Sequence, residues 1–200
     1  MDYFANFVNS NCYLCNKPGL VICNYCFSKL EKLPLRAVDS YSLYKYNPTA
    51  SKILLRSKYT PYNYYLLRFL VKNSMVEAIY PKDSLLCPIP ISSLKRFERK
   101  FNQATIITRD LSKKLNLPWT EIIYRKRDSN PLFALNRDLR KEELKDIFGL
   151  NFGYQLLIKD FPNIVLIDDL ITTGETLSQA KSVLLKAGFS RVFSLTLFQA

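Results

Sequence analysis

Short apolar runs and longer apolar stripes alternate along the chain and predict strands and helices. Mostly apolar runs of about four residues are too short for helices and predict buried strands. With the β-branched and aromatic segments, the predicted strands are 37–46, 84–87, 120–125, 164–167 and 192–198. Helical spacing or composition predicts helices at 51–57, 62–72, 102–115, 138–147 and 175–187. The last strand, loop, helix and strand form a right-handed βαβ unit, so we expect an α/β domain with a mainly parallel sheet flanked by helices.

Two adjacent carboxylates, Asp168 and Asp169, follow the predicted strand 164–167. Neighbouring carboxylates repel each other unless a cation or hydroxyl donors satisfy them. Downstream, Gly174 is free to take a positive φ, and backbone N–H groups at the start of a helix near Glu175 complete an anion-binding turn. Acids and an anion-binding turn at the end of one parallel strand suit a sugar phosphate. The alternative is a strand end followed by a capped turn. It explains Gly174 and the threonines at 172, 173 and 176, but not the paired acids.

Four cysteines form two Cys-x-x-Cys pairs, Cys12 with Cys15 and Cys23 with Cys26. Four thiolates can surround Zn²⁺ as a tetrahedron, and such a closed site is structural. Disulfides are the alternative, but a cytosolic chain is kept reduced, and a redox Cys-x-x-Cys would not be duplicated. We therefore predict a zinc module over residues 1–35 and a main domain over 36–200. The fifth cysteine, Cys87, is expected in the core.

Composition narrows the possible chemistry. The 200 residues include 48% hydrophobic residues, enough for one main core and a small appendage. Histidine is absent, which excludes histidine-based triads, histidine general bases and histidine-ligated zinc or haem. No apolar run approaches the roughly 18 residues of a membrane span, and Met1 is not followed by a basic signal segment. We therefore expect a cytoplasmic protein.

Basic residues are in excess, giving a net charge of +12. Residues 150–200 contain equal numbers of acidic and basic residues, so the excess lies upstream. Such an excess favours polyanions, either a pyrophosphate group or a nucleic-acid backbone, although a basic surface that only confers solubility is the alternative. The candidate nucleic-acid contacts are Lys95, Arg96, Arg125, Lys126 and Arg127. Tyrosines and cations mixed over 52–68 indicate either a stacking platform for single strands or a tyrosine-rich edge of the core.

Two motifs carry resemblances to known families. Residues 165–176 contain Asp-Asp-x-x-Thr-Thr-Gly-x-Thr, which resembles the phosphoribosyl-pyrophosphate (PRPP) motif of type I phosphoribosyltransferases. The Pro-x-Pro strand exit at 88–90 and the sequence Arg-Lys-Phe-Asn-Gln at 99–103, with the cysteine pairs upstream, resemble the ComF (ComFC) competence family. Two positions depart from that family, since Lys100 replaces its usual glycine and Leu132 its usual glutamine.

These resemblances imply a type I phosphoribosyltransferase-like fold with an N-terminal Cys₄ zinc finger. They assign the ribose hydroxyls of PRPP to the two acids, directly and through Mg²⁺, which bridges phosphate oxygens and keeps waters. They assign the 5′-phosphate to the turn and the pyrophosphate to the strand exit at 90–92. The implied PRPP-binding residues are Asp168, Asp169, Leu170, Ile171, Thr172, Thr173, Gly174, Glu175, Thr176, Pro90, Ile91 and Ser92.

The same resemblance implies a mobile loop over 128–137 that closes on PRPP and brings cations to the leaving pyrophosphate. If ribose is transferred, Arg99 or Arg140 would stabilise the departing charge. The catalytic candidates are therefore Asp168, Asp169, Arg99 and Arg140.

Membership of the ComF family implies a role in natural transformation. The expectation is a PRPP-binding protein that handles incoming single-stranded DNA, peripheral to the cytoplasmic side of the inner membrane, with a DNA-uptake ATPase as a partner. Two alternatives stay open. One is an active phosphoribosyltransferase with an unknown acceptor, and the other is a zinc-stapled adaptor that binds proteins through its N-terminal module.

Overall fold

The computed structural model describes residues 11–18, 21–34, 39–59, 64–76, 80–128 and 144–200. The strands in these ranges are β1 (Ser40–Lys45), β2 (Ser84–Pro88), β3 (Ile123–Arg125), β4 (Phe148–Leu150), β5 (Asn163–Ile171) and β6 (Arg191–Gln199). The helices are α1 (Asn24–Phe27), α2 (Pro48–Tyr59), α3 (Tyr65–Asn73), α4 (Ser93–Arg99), α5 (Gln103–Leu115), α6 (Gln155–Ile158) and α7 (Glu175–Lys186). None of the described helices is long and apolar enough to span a membrane.

Four strands form a parallel sheet in the order β1-β6-β5-β2. Strand β5 is central, and Pro88 at the end of β2 pairs with Ile167 of β5. Because parallel strands end at the same edge of a sheet, the exits of β2 and β5 lie side by side. Strands β3 and β4 form a separate antiparallel pair. The predicted α/β fold with a mainly parallel sheet and flanking helices is confirmed.

Side chains of β5 alternate between two hydrophobic clusters, as a central strand buried on both faces requires. Val165 and Ile167 pack into a cluster that includes apolar residues of α2, α3 and α5. Ile164 and Leu166 pack into the second cluster with apolar residues of α7, β3 and β4. All four side chains are essentially inaccessible to solvent, and burial of each stabilises the fold by roughly 1.5–3 kcal/mol.

The cysteine-rich segment packs on the same core as β1. Its buried residues Ile22 and Leu30 belong to the cluster that contains Tyr44. The Phe27 ring lies edge-on to Tyr44 at 6.4 Å and to Phe69 at 5.6 Å between ring centroids. The domain boundary at residue 35 stays a prediction, but buried side chains on both sides of it belong to one continuous cluster.

Several local predictions need correction. Strand β5 runs to Ile171 rather than ending at 167, so both acids lie within it. Helix α2 begins at Pro48 rather than at residue 51, because proline fits the first turn of a helix. Residues 144–146 form a turn instead of the predicted helix, and the first part of 138–147 lies outside the described residues. Strand β4 and helix α6 were not predicted.

Strand β4 was missed because Gly149 reads as a loop residue. In the structure Gly149 pairs with Tyr124 of β3, and a Cβ on Gly149 would lie 2.5 Å from the Tyr124 ring. The glycine therefore makes room for a cross-strand tyrosine rather than ending the strand.

Candidate functional site

Strand β5 carries both acids to the carboxyl edge of the sheet. Its side chains are buried through Ile167 and half-buried from Asp168 onward. Asp168 lines a cavity together with the turn at 172–176. Asp169 instead contacts helix α2. Because side chains alternate along a strand, the two acids have different surroundings, Asp168 at the cavity and Asp169 at α2.

Asp168 is the more perturbed of the two acids. Burial, reinforced by the neighbouring Asp169, raises the pKa of Asp168 from 3.8 to about 7. The Asp169 N–H donates to Asp168 Oδ1 at 2.8 Å, but this bond and the nearby lysines do not offset the effect of burial on the pKa. A cation or hydroxyl donors at this carboxylate would favour its ionised form. Carboxylate oxygens are suitable ligands for Mg²⁺, so the donor chemistry of Asp168 suits that ion.

Lys58 of helix α2 forms an ion pair with Asp169. The distance from Lys58 Nζ to Asp169 Oδ2 is 3.0 Å, and the two side chains are 20% and 16% exposed. The protein therefore supplies a cation for one of the two acids. Lys58 was predicted only as one of the cations of the tyrosine-rich segment 52–68, and not as a partner of Asp169, because it lies in a helix far upstream of the acids.

The turn after β5 has the features of an anion site. Gly174 adopts φ 76° and is the N-cap of α7, where no side chain caps the helix. The first N–H groups of a helix lack intrahelical partners and attract anions. Thr172 and Thr173 are exposed beside them. Glu175 accepts a hydrogen bond from Gln179 Nε2 at 3.0 Å, which ties its carboxylate to the helix surface.

The exit of β2 lies beside the acids. The Ile89 N–H donates to the Ile167 carbonyl at 2.9 Å, which holds the following residues 90–92 against the end of β5. Asn102 fixes this exit to α5, because its Nδ2 donates to Ile89 O at 2.8 Å and its Oδ1 accepts from Ala104 N at 3.1 Å. The asparagine of the Arg-Lys-Phe-Asn-Gln motif therefore connects the residue that follows β2 to the N-terminus of α5 through two hydrogen bonds.

Helix α4 follows this exit, and a side chain caps its N-terminus. Ser92 Oγ accepts from the Lys95 N–H at 3.3 Å. The Ser93 N–H donates to Asp128 Oδ1 at 2.8 Å, so a carboxylate already binds there. Asp128 precedes the segment 129–143, and Leu144, which follows it, lines the cavity with Asp168. The predicted loop at 128–137 therefore starts at the site, although residues 129–137 lie outside the described part of the chain.

Lys100, the departure from the family's glycine, keeps a glycine-like backbone. It ends α4 in the left-handed region with φ 60° and ψ 0°, and its N–H donates to Arg96 O at 2.8 Å. The turn therefore has the shape that glycine adopts most easily, so the family's glycine would fit the same backbone.

Several cations lie near Lys95. The pKa of Lys95 is lowered by burial and by the charges of Arg125, Arg99 and Lys58, whereas Asp169 raises it. The Arg99 guanidinium lies 5.4 Å from the centre of the Tyr59 ring, and its Nε is buried without a hydrogen-bond partner in the described residues. A group of neighbouring cations favours a polyanionic ligand. We call Lys58, Lys95, Arg99 and Arg125 the cationic cluster.

The other predicted nucleic-acid residues lie elsewhere. Arg96 lines a neighbouring cavity with Pro88, Pro90 and Glu121. Lys126 and Arg127 are exposed after β3, and Arg127 Nη2 donates to Lys145 O at 3.4 Å. The catalytic candidate Arg140 and the departure at Leu132 lie outside the described residues.

The tyrosine-rich segment is only partly described. The centroids of the Tyr64 and Tyr65 rings lie 4.6 Å apart, and the Tyr59 residue is 67% exposed to solvent. Arg68 forms an ion pair with Asp110 at 3.0 Å, so one cation of the predicted stacking platform is engaged within the protein.

The four N-terminal cysteines meet at one point. Their Sγ atoms all lie within 4.8 Å of one another, and Cys15 Sγ is 3.7 Å from Cys23 Sγ. Tetrahedral zinc with Zn–S bonds of about 2.3 Å requires sulfur separations of roughly 3.8 Å, so the donor set fits Zn²⁺. Burial raises the pKa of Cys12, but hydrogen bonds from backbone N–H groups, among them those of Cys23 and Leu14, outweigh it and lower the pKa to about 6. The four cysteines could therefore hold a metal ion.

Cys87 is a core residue, as predicted. It is fully buried in β2, and burial raises the pKa of its thiol to about 11, which makes it a poor nucleophile.

Comparison with known proteins places the chain among competence proteins. No protein-family model matches it. It is 29% identical over 110 residues to competence protein F of Haemophilus influenzae, covering 54% of this chain and 46% of that protein. It is 30% identical over 105 residues to DNA utilization protein YhgH of Escherichia coli K12, covering 52% and 44%. The matches to these two relatives thus span about half of their length.

A longer match covers nearly the whole chain. The chain is 30% identical over 203 residues to competence protein ComFC of Bacillus subtilis, covering 94% of this chain and 78% of that protein.

Solved structures give weaker similarities. An allosteric regulatory enzyme of purine biosynthesis matches with a TM-score of 0.39 and 19% identity, over 66% of this chain and 24% of that one. Adenine phosphoribosyl transferase from Trypanosoma brucei matches with a TM-score of 0.37 and 16% identity, over 84% and 87%. The full-length sequence match suffices on its own: the chain belongs to the ComF (ComFC) family of competence proteins.

Proposed function

We propose that this protein binds PRPP with Mg²⁺ at the carboxyl ends of β2 and β5 and serves in competence by handling single-stranded DNA. The observation that carries the ligand proposal is the arrangement around β5. An anion-binding turn, a half-buried acid and the cationic cluster converge where two parallel strands end. The names of the relatives, competence protein and DNA utilization protein, support the physiological part.

Each part of the ligand has a suitable partner in this arrangement. The N–H groups at the start of α7 suit the 5′-phosphate, because they form the uncapped positive end of a helix. Asp168 suits the ribose hydroxyls and Mg²⁺, since both favour its ionised form. The cationic cluster suits the pyrophosphate, whose charge would relieve the mutual repulsion of these cations.

Titration calorimetry with PRPP and Mg²⁺ tests the ligand. The double variant Asp168→Ala with Asp169→Ala is expected to abolish binding, while Asp160→Asn, which removes an exposed acid distant in sequence from the turn, keeps it. Thr173→Val, in the turn, is expected to weaken PRPP and ribose 5-phosphate alike but to leave pyrophosphate binding unchanged. Wild-type protein that gives no heat with PRPP and Mg²⁺ would remove the proposal.

A second candidate, phosphoribosyl transfer, is favoured by the cationic cluster at the end of β5. Positioned cations stabilise the charge that a leaving pyrophosphate acquires. In transfer, the bond from the ribose C1 to a pyrophosphate oxygen breaks, a bond from C1 to the acceptor forms, and the acceptor's proton is released to solvent. Pyrophosphate release that depends on an added acceptor would establish an enzyme.

The DNA part of the proposal concerns a different surface. Lys126 and Arg127 are exposed after β3, close in sequence to the cationic cluster. Binding of single-stranded DNA is expected to weaken steeply as salt increases, because phosphate contacts release counterions. A DNA-uptake ATPase at the inner membrane is the proposed partner, and co-purification of the two proteins tests it.

A further inference from the structure

Lys58 holds an unusual position for a surface lysine. Its Nζ lies 3.0 Å from Asp169 Oδ2, and both side chains are mostly shielded from solvent. It is also close enough to Lys95 to lower the pKa of that side chain. The Lys58 ammonium therefore pairs with an acid of the proposed ligand site and is also a member of the cationic cluster.

Other cations lie near Asp169, but none of the described residues besides Lys58 forms an ion pair with it. Asp169 raises the pKa of Lys95, which is therefore nearby, and Arg99 lies over the Tyr59 ring. Asp168, which lies next to Asp169, is itself disfavoured as an anion by burial and by the charge of Asp169. Loss of Lys58 would leave the Asp169 carboxylate without its ion-pair partner, and such a carboxylate can serve as a ligand for a divalent cation.

We propose that Lys58 is the resident counter-cation of Asp169, which excludes free divalent metal from the empty site and transfers to the ligand's diphosphate when metal-bound PRPP enters. Each charged group keeps a partner of opposite charge in this exchange, because the ammonium released from Asp169 would bind the diphosphate that arrives with the metal. It makes the site selective for metal and sugar diphosphate together. This inference rests on the proposed function, but its metal half is measured without PRPP.

The first test uses Mn²⁺ alone, followed by electron paramagnetic resonance, on zinc-loaded protein. Lys58→Met is expected to bind Mn²⁺ at least about tenfold more tightly than wild type, since one opposing unit charge a few ångströms away has been removed. Adding Asp169→Asn to Lys58→Met is expected to remove the gain. Lys58→Arg keeps the charge and is expected to exclude Mn²⁺ as wild type does. Lys52→Met, an exposed lysine on the same helix, is the matched control. Equal Mn²⁺ affinity in wild type and Lys58→Met would overturn the counter-cation role.

The second test asks whether the Lys58 ammonium binds the diphosphate group of the ligand. In the presence of saturating Mg²⁺, Lys58→Met is expected to bind PRPP about tenfold more weakly, the loss typical of one hydrogen bond to a charged group, with ribose 5-phosphate affinity unchanged. A parallel loss with both ligands would mean that Lys58 only positions α2 against β5, and the transfer would be refuted. Wild-type protein that binds neither ligand would refute the proposed function instead, while the Mn²⁺ result would still decide the metal half.

Discussion

Asp168 places a cost on the stability of the ligand-free protein. Its pKa is raised from 3.8 to about 7 in the folded state. Between these two values the folded state binds more protons than the unfolded state, so stability falls as the pH rises. The penalty on stability is absent below pH 4, grows as the pH rises, and is complete above about pH 7. Each pKa unit corresponds to about 1.4 kcal/mol, so the full penalty is about 4 kcal/mol.

Replacing Asp168 with asparagine removes this penalty while keeping a side-chain oxygen that can accept the Asp169 N–H. We expect Asp168→Asn to stabilise the protein by about 2 kcal/mol at pH 5.5 and by about 4 kcal/mol at pH 8. The ligand is expected to be lost, because a neutral amide cannot hold Mg²⁺ or the sugar hydroxyls as a carboxylate does. The variant would therefore exchange function for stability.

Urea unfolding of zinc-loaded, Mg²⁺-free protein at pH 5.5 and pH 8 measures these differences. Comparison of variant with wild type at each pH cancels any common effect of pH on the zinc site. Asp160→Asn, at an exposed position, controls for the loss of a negative charge. A gain that is equal at both pH values, or a loss of stability at pH 8, would show that Asp168 is ionised at little cost and would refute the argument from burial.

Three further predictions concern other parts of the chain. Cys23→Ser should lose zinc by native mass spectrometry and more than about 3 kcal/mol of stability, whereas Cys87→Ala should keep the metal; full zinc content in Cys23→Ser would contradict the four-cysteine site. Lys100→Gly should raise stability by about 0.5–1 kcal/mol in thermal unfolding, because it relieves a left-handed backbone, while Lys113→Gly inside α5 should lower it; no gain at Lys100 would argue against that backbone shape. Lys126→Glu with Arg127→Glu should weaken single-stranded DNA binding and flatten its salt dependence, and an unchanged salt slope would place DNA elsewhere.

The sequence predicted those parts of the protein whose cause is local. Buried strands at β2 and β5, the helix capped by Asn102, and the cysteine spacing each follow from residues close together in the chain. The parallel order of the sheet also follows, because short buried strands joined by helices favour it.

The parts that failed depend on distant contacts. The extension of β5 through Ile171 is stabilised by pairing with β6, in which Leu170 pairs with Phe198. The residues near Asp168 carry no sequence pattern that predicts this extension. The role of Lys58 depends on where α2 packs, which local patterns do not encode. Arg125, expected on a nucleic-acid surface, is half-buried beside Lys95 because the β3–β4 pair brings it there.

The shared core of the cysteine-rich segment and β1 has a practical consequence. Phe27 packs against Tyr44 and Phe69, and Ile22 belongs to the same cluster, so a shortened protein starting after residue 35 would expose these aromatic side chains to water. We expect such a truncation to aggregate on expression rather than yield an isolated catalytic or binding unit. For the same reason, loss of a metal ion held by the four cysteines would destabilise the core that this segment shares with β1.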